Sequence, residues 1–522
     1  MRRPISYRAG IALGAMCTLM FVAVAAVAAA LFGIPNPAYR LFELVSGALP
    51  GVVVTSAIDI VVKTVHSAGA TSTAAAAKEI ERAMAIALAT GLGGVLGAVV
   101  VWFVRRGKHA LLTSLVVGTV AGCVYVVIAG ISAIMIVVSL AGFVAWGGVL
   151  GVSIRAMAEH AGVSAERRQV LVVIGVATAA TCAVAFGLVR LLGRGGARIS
   201  RMLRAEDEAA LTSGPAASPS PESLTARFSP VDGTRAEITD NAHFYRIDIN
   251  LKPPSIDGAT WTLPIEGLVG KPRVLTLDEL RRRPAVSQII TLECISNPVG
   301  GDLIGTSRWT GIRLADLLAE LEVASTARAL SFEAADGFHE TCSLDDARDP
   351  RALLVYAMNG EPLTEVHGYP LRLYLPDRHG MKLPKWITRM ELVADPRPGY
   401  WVERGWSAAA IPHTTSVIDA VTATGDGAER MMSIGGIAYA GARGIQRVEV
   451  QIDDGAWQDA QLRTPALSPL TWVQWRLDVP YRKGKHTIRV RATDGTGALQ
   501  DTVVRPPHPD GATGIYTKRV DV

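Results

Sequence analysis

Cysteine is scarce in this chain, with five thiols in 522 residues, and no two of them have Cys-x-x-Cys spacing. A disulfide framework and a ribbon-type zinc site are therefore excluded, and so is Cys-x-x-Cys-His haem attachment. Charge is also thin. Asp, Glu, Lys and Arg make up 19% of the chain, the net charge is only +5, and no basic run is interleaved with aromatics. That pattern excludes nucleic acid as a partner. Histidine is missing from every long apolar run, since His66, His109 and His160 fall in connecting segments. Haem held between membrane helices needs such a histidine, so an electron-carrying haem bundle is excluded as well.

What the chain does have is an apolar first two hundred residues, while nearly all Trp, Pro and Asp follow residue 210. Runs long enough to span a bilayer, about 20 residues each, lie near 11–32, 82–104, 110–128, 131–153 and 170–192. A sixth stretch, 41–64, carries Glu43, Pro50, Asp59 and Lys63. Charges near a helix centre cost roughly 2.5–3.5 kcal/mol each, so this stretch reads as interfacial or re-entrant. With five spans, Arg2, Arg3 and Arg8, then Arg105, Arg106 and Lys108, then Arg155, Arg167 and Arg168 all fall on one side. The positive-inside rule makes that side cytoplasmic and puts everything after residue 192 outside. The expected localisation is thus a multi-pass cell-membrane protein with an extracytoplasmic soluble part. The many Gly and Ala of the spans suit close helix packing in an anchor.

Four regions follow: a membrane domain over 1–204, a Pro/Ser-rich linker over 205–236, an α+β domain over 237–410 and a β-sandwich over 411–522. The linker contains Ser218-Pro219-Ser220-Pro221 and few apolar residues, which predicts an extended tether. In the α+β part, Trp261–Ile265 reads as strand, and Leu277–Arg283 and Leu314–Leu321 as helix. In the last region Val448, Val450 and Ile452 alternate with polar residues, as do Ile488, Val490 and Ala492, with turns at Asp454-Gly455 and Asp494-Gly495. Period two with such turns predicts an antiparallel, Ig-like sandwich, with Trp457, Trp472 and Trp475 as core.

Cys17, Cys123 and Cys182 lie in the apolar runs, where a thiol behaves as a small hydrophobe. Cys294 is different: it sits in Leu292-Glu293-Cys294-Ile295-Ser296-Asn297-Pro298-Val299-Gly300-Gly301, a soluble glycine-containing loop. A thiolate there can hold a soft metal. Four further blocks accompany it: Thr239 to Arg246; Phe332 to Gly337; Met358 to Leu363 running into His367 to Arg372; and Lys382-Leu383-Pro384-Lys385-Trp386. Together, in this order over roughly residues 238–515, they resemble the sulfite oxidase family of molybdopterin-dependent oxidoreductases. The fold class expected is a multi-span helical membrane domain, then a sulfite-oxidase-like molybdopterin-binding domain, then an Ig-like sandwich of the family's dimerisation type.

The resemblance implies Mo-molybdopterin, a mononuclear molybdenum on one pterin, with Cys294 as metal ligand and the residue on which turnover depends. It implies that Asn241, Phe244, Tyr245, Asp336, His367, Arg372, Leu383, Pro384 and Lys385 bind the cofactor. Arg372 suits the pterin phosphate by bidentate contact and Lys385 as a point charge. Cys342 matches no cysteine of the pattern and reads as a structural thiol.

The chain departs from the sulfite-oxidising members in three places, one of them the oxyanion-binding arginine after the entry strand, with Arg246 displaced by one position. The arginines that follow the cysteine loop there are absent after Asn297, and an acidic residue followed by tyrosine is replaced by Gly405-Trp406. The implied activity is oxygen-atom transfer on a small sulfur- or nitrogen-containing compound, of the sulfite-oxidation or sulfoxide-reduction type. Implied partners are a separate electron carrier, cytochrome or quinone-linked, the membrane, and a second copy of the chain in a homodimer. The alternative is a membrane-tethered binding or scaffold protein that keeps the fold without metal.

Overall fold

The computed structural model describes residues 5–32, 34–67, 72–129, 133–159, 164–211 and 228–522. Seven helices come first among the described residues: α1 (Tyr7–Phe32), α2 (Pro37–Ala48), α3 (Gly51–Ser67), α4 (Thr73–Arg105), α5 (Ala110–Ala129), α6 (Ala133–Glu159) and α7 (Ser164–Leu211). Among the described residues, five helical stretches are long and apolar enough to cross a bilayer: Tyr7–Phe32, Thr73–Arg105, Ala110–Val127, Ile136–Glu159 and Arg168–Leu191. The chain divides into two compact units, Met1–Leu49 with Lys78–Leu203, and Pro50–Ala77 with Arg204–Val522.

In the first unit α1 and α4 meet through glycine. A Cβ on Gly14 would strike the carbonyl of Gly93, and one on Gly97 the carbonyl of Gly10. With no side chain at these four positions the backbones approach closely, the small-xxx-small device of apolar helix pairs. Leu13, Leu150 and Ile154 fill the space beside this contact and are fully buried.

The stretch 41–64 is neither one span nor one interfacial helix. It breaks at Pro50. Leu49, before the proline, is extended (ψ 147°), as the ring of a following proline demands. The first piece, α2, is started by Asn36, whose side chain accepts from the Ala38 N–H at 3.0 Å, with Pro37 at the first helical position. The second piece, α3, belongs to the second unit.

The tether expected at 205–236 is described only at its two ends. Helix α7 continues to Leu211; residues 212–227 lie outside the described residues; and residues from 228 onward lie against the sandwich. There Arg235 bonds Asp419 through its backbone N–H (3.1 Å) and Nε (2.9 Å), and its carbonyl accepts from Gln474 (2.8 Å).

The α+β part of the second unit holds two sheets. One has the order β2 (Arg273–Thr276), β1 (Thr262–Gly267), β10 (Ile387–Val393), β5 (Ala329–Ala334), β6 (His339–Ser343). The other has the order β3 (Val286–Glu293), β4 (Ile304–Arg313), β7 (Leu353–Met358), β8 (Glu361–Pro362), with β9 (Arg372–Tyr374) also paired to β7. Short helices α8 (Leu277–Arg281), α9 (Leu314–Ala319) and α10 (Leu344–Arg348) connect strands. Helix α8 begins in a capping box between Thr276 and Glu279, which satisfies its first free N–H groups. Leu263, Ile265, Leu280, Ile290, Phe332 and Trp309 form the shared core. Each such side chain contributes roughly 1.5–3 kcal/mol by leaving water.

The sandwich pairs the sheet β11 (Thr415–Thr424), β12 (Met431–Tyr439), β16 (Val473–Pro480), β15 (Gln461–Leu462) with the sheet β14 (Gln458–Asp459), β13 (Ile445–Ile452), β17 (Lys485–Asp494), β18 (Tyr516–Asp521). Val448, Val450, Ile488, Val490 and Trp475 are its core, as the alternation predicts. The other two tryptophans differ. Trp472 is buried in a separate cluster with Ile304 and Val417, so it joins the two parts of this unit. Trp457 is only half-buried, lying under the Arg491 guanidinium at 4.2 Å.

Candidate molybdenum site

Strand β3 delivers Cys294 at its end, where the pleat stops and the loop 294–302 begins. The loop is tied by its own backbone. The Cys294 N–H donates to the Leu303 carbonyl (2.9 Å) and the Asn297 N–H to the Cys294 carbonyl (3.0 Å). The buried Asn297 amide then accepts from the Leu303 N–H (3.0 Å) and donates to the Glu293 carboxylate (2.9 Å). Gly300 turns the chain with φ +82°, and a Cβ there would run into the ring of Tyr516. No residue but glycine suits both the left-handed conformation and the close approach.

The Cys294 thiol is 8% exposed and lies 3.0 Å from the Ser296 hydroxyl. Burial pushes its pKa up, and the Ser296 hydrogen bond pulls it down by less. A free thiolate is therefore disfavoured at neutral pH, whereas a bound metal would hold the sulfur deprotonated. Cys342 behaves otherwise: it sits on β6 in the hydrophobic core, and burial pushes its thiol up to about 12.

A cleft opens over Cys294. Phe244, Tyr245, Cys294, Asp336, His367, Arg372, Leu383, Pro384 and Lys385 all line it, so nine of the ten residues singled out from the sequence converge. Asn241 does not line it. Its carbonyl instead accepts from His367 Nε2 at 2.8 Å, and its side chain bridges Glu361 and the turn residue Asn359. Asn359 has φ +53° and precedes Gly360 at the β7–β8 turn. Its amide donates to the Thr239 carbonyl, so the fourth block clamps the first.

His367 is held neutral. Burial lowers its pKa to about 4, and because Nε2 faces a carbonyl oxygen it carries the proton, leaving Nδ1 as the acceptor. Phe244 sets its ring edge-on to the imidazole at 5.7 Å. Arg372 is buried over the face of Trp309 (4.8 Å) and donates to the His367 carbonyl at 3.1 Å; burial lowers it to about 10. Lys385, lowered by burial to about 8, is paired with Asp248. Asp336 is pushed up to about 6 by burial and accepts from the Phe338 N–H at 3.0 Å.

Sequence reasoning missed Asp248, Ser296, Phe338, Met381 and Trp386, all on the wall of the cleft. Asp248 had the clearest signal, as the one carboxylate in Arg246-Ile247-Asp248, a short run with cations both before it and across the fold. Its fully buried side chain accepts from both Arg246 and Lys385. Trp386 is held at φ +53° with its indole donating to the Glu365 carbonyl at 2.7 Å. Such a backbone in a bulky residue marks a site where the surroundings enforce it. Trp401 and Trp406, flanking the turn that ends at Gly405, line the cleft on the other side.

Residues 250–401 match the family model described as oxidoreductase molybdopterin binding domain, and residues 406–505 that of the Mo-co oxidoreductase dimerisation domain. Mouse (Mus musculus) mitochondrial sulfite oxidase is 29% identical over 339 residues, 56% of this chain and 60% of that protein. The uncharacterized oxidoreductase YuiH of Bacillus subtilis (strain 168) is 30% identical over 156 residues, 30% of this chain and 77% of that protein. The sulfane dehydrogenase SoxCD from Paracoccus pantotrophus, a solved structure, is 24% identical with a TM-score of 0.49, covering 58% of this chain and 86% of that one. Fold and site thus define a molybdopterin-binding oxidoreductase with a dimerisation domain. The chain belongs to the sulfite oxidase family. It spans 60% of the length of the mouse sulfite oxidase it matches.

Mo-molybdopterin is the cofactor that goes with this family. The residues present fit it. Three cations, Arg246, Arg372 and Lys385, are gathered around one fully buried carboxylate, Asp248, and Arg246 Nη2 is buried without a hydrogen-bond partner. A buried excess of donors and positive charge needs an anion, and a pterin phosphate is one.

Proposed function

We propose that this chain is a membrane-anchored molybdenum oxidoreductase that transfers an oxygen atom to or from a small, uncharged sulfur or nitrogen compound outside the cytoplasm. The observation that carries this reading is the convergence of Cys294, Arg372, Lys385, His367 and Asp336 on one cleft. When bound, the cofactor supplies the two-electron oxygen-transfer chemistry.

The chain's own residues bind and orient. Cys294 holds the metal through sulfur, with Ser296 fixing the side chain. Arg372 and Lys385 receive the pterin phosphate. The neutral His367 offers Nδ1, and Asp336 its carboxyl, to the pterin edge. Ile295, Phe338, Met381, Trp401 and Trp406 add apolar wall and keep water from the reacting centre.

An apolar wall of this kind supports a sulfoxide, thioether or amine oxide over the sulfite dianion. A dianion wants fixed cations at the reacting end. Here Lys385 is already paired to Asp248, and Arg372 donates to the His367 carbonyl.

The five apolar helices support anchoring in a membrane, and the basic clusters of Arg2, Arg3 and Arg8, of Arg105, Arg106 and Lys108, and of Arg155, Arg167 and Arg168, all on one side, support an extracytoplasmic catalytic part. Electrons pass to or from a separate carrier, and the 406–505 domain supports a homodimer. The experiment is a paired assay on purified full-length protein: sulfoxide-dependent oxidation of a reduced dye against sulfite-dependent reduction of an acceptor. Turnover in the first and little in the second supports the reading, and the reverse refutes its substrate class.

A further inference from the structure

Helix α3 is encoded among the apolar N-terminal helices, far from residues 250–505 of the two matched domains, yet it lies in the same compact unit as the Cys294 cleft. Its contacts define how it runs. At its start Gly51 abuts Arg404, where a Cβ would come within 2.6 Å of the Arg404 Cα. That is the turn between Trp401 and Trp406. Further along, Ile58 reaches the wall of the cleft itself. Ile58 and Val62 cluster with Cys294, Leu303, Ala74, Tyr245 and Ile247, and Val62 is 4% exposed. At the start of α4, the Thr73 N–H donates to the Asp302 carboxylate at 2.8 Å, tying that helix start to the end of the Cys294 loop. The starts of α3 and α4 are thus each fixed to a loop that shapes the cleft. The opposite face of α3 is open, with Ile60 65% exposed.

We propose that α3 is a wall of the substrate cavity and that Ile58 is its specificity-determining side chain. The proposal rests on the oxygen-transfer reading for its substrate class. A substrate approaching Cys294 meets Ile58 together with Met381, Trp401 and Trp406, so its size is limited.

The test uses the full-length, cofactor-loaded protein and two substrates of one class, dimethyl sulfoxide and methyl phenyl sulfoxide, or the matching thioethers if the wild type runs in the oxidising direction. Ile58→Ala is expected to raise the kcat/KM ratio of the aryl to the methyl compound on the order of tenfold, mainly through KM, the scale for removing apolar bulk from a pocket. Ile58→Val should fall between, and Ile60→Ala, on the open face, should leave the ratio unchanged.

A second readout needs no turnover. Ile58→Cys should react with N-ethylmaleimide at least severalfold more slowly than Ile60→Cys, measured by peptide mass spectrometry. An unchanged ratio in Ile58→Ala with turnover intact overturns the proposal, and so does equal labelling at the two positions. Absence of turnover of any of these compounds by molybdenum-loaded wild type overturns the reaction reading instead, and labelling then decides the position of α3 by itself.

Discussion

The His367 Nε2 proton is committed to the backbone carbonyl of Asn241, 2.8 Å away, so the first and fourth sequence blocks are joined through a neutral, buried imidazole. Its pKa is lowered to about 4 by burial. A base lowered in the folded state stabilises the fold fully above its unfolded pKa near 6.5, and the contribution is lost as pH falls through the window from 6.5 to 4. For one such group the loss is about 2 kcal/mol at pH 5.

Glu293 and Asp336, raised to about 7 and about 6, act with the opposite sign over nearly the same window. The wild-type curve therefore mixes the two effects, and a difference between proteins is the clean measurement. His367→Gln keeps a donor for the Asn241 carbonyl but cannot be protonated. It should gain about 2 kcal/mol relative to wild type between pH 8 and pH 5, measured by denaturant unfolding at both values. The same difference at both pH values would show that His367 is not held neutral.

Arg372 and Lys385 are expected to act on cofactor retention before they act on folding. Arg372→Gln and Lys385→Gln each remove one of the buried cations around Asp248. Molybdenum per chain, measured by mass spectrometry after gel filtration, should drop in both. Arg372→Gln should drop more, because a point charge is more readily replaced by Arg246 than a bidentate fork is.

The loop glycine gives a stability test. Gly300→Ala forces a side chain into φ +82° and into the Tyr516 ring, and should cost about 1–3 kcal/mol with loss of turnover. Gly300→Ala combined with Tyr516→Ala relieves the clash but not the backbone, so thermal unfolding should recover only in part. Full recovery would mean that backbone conformation at Gly300 is unimportant.

Much of this site is legible in the sequence, because the residues carrying it sit in short ordered blocks: Cys294 at a strand end, Asn359-Gly360 at a turn, Lys385 beside Trp386. Strands such as β13 and β17 are legible for a different reason, since one buried face imposes period two. Other features arise only on folding. Asp248 becomes part of the site because Lys385, 137 residues later, closes on it. Asn241 carries an ordinary polar side chain but contributes its carbonyl, which no residue type announces. The break at Pro50 is written in the sequence, yet where α3 then packs depends on Ile58 and Val62 meeting Leu303, a tertiary contact with no local trace.

Molybdenum-edge X-ray absorption on full-length protein, wild type beside Cys294→Ser, tests the central claim most directly, since it counts the sulfur atoms around the metal. Bound molybdenum is expected in the wild type, with one sulfur neighbour fewer in Cys294→Ser and loss of turnover with that sulfur. An identical sulfur count in the two proteins, or a wild type that carries no molybdenum when made in a cofactor-competent host, would contradict the claim.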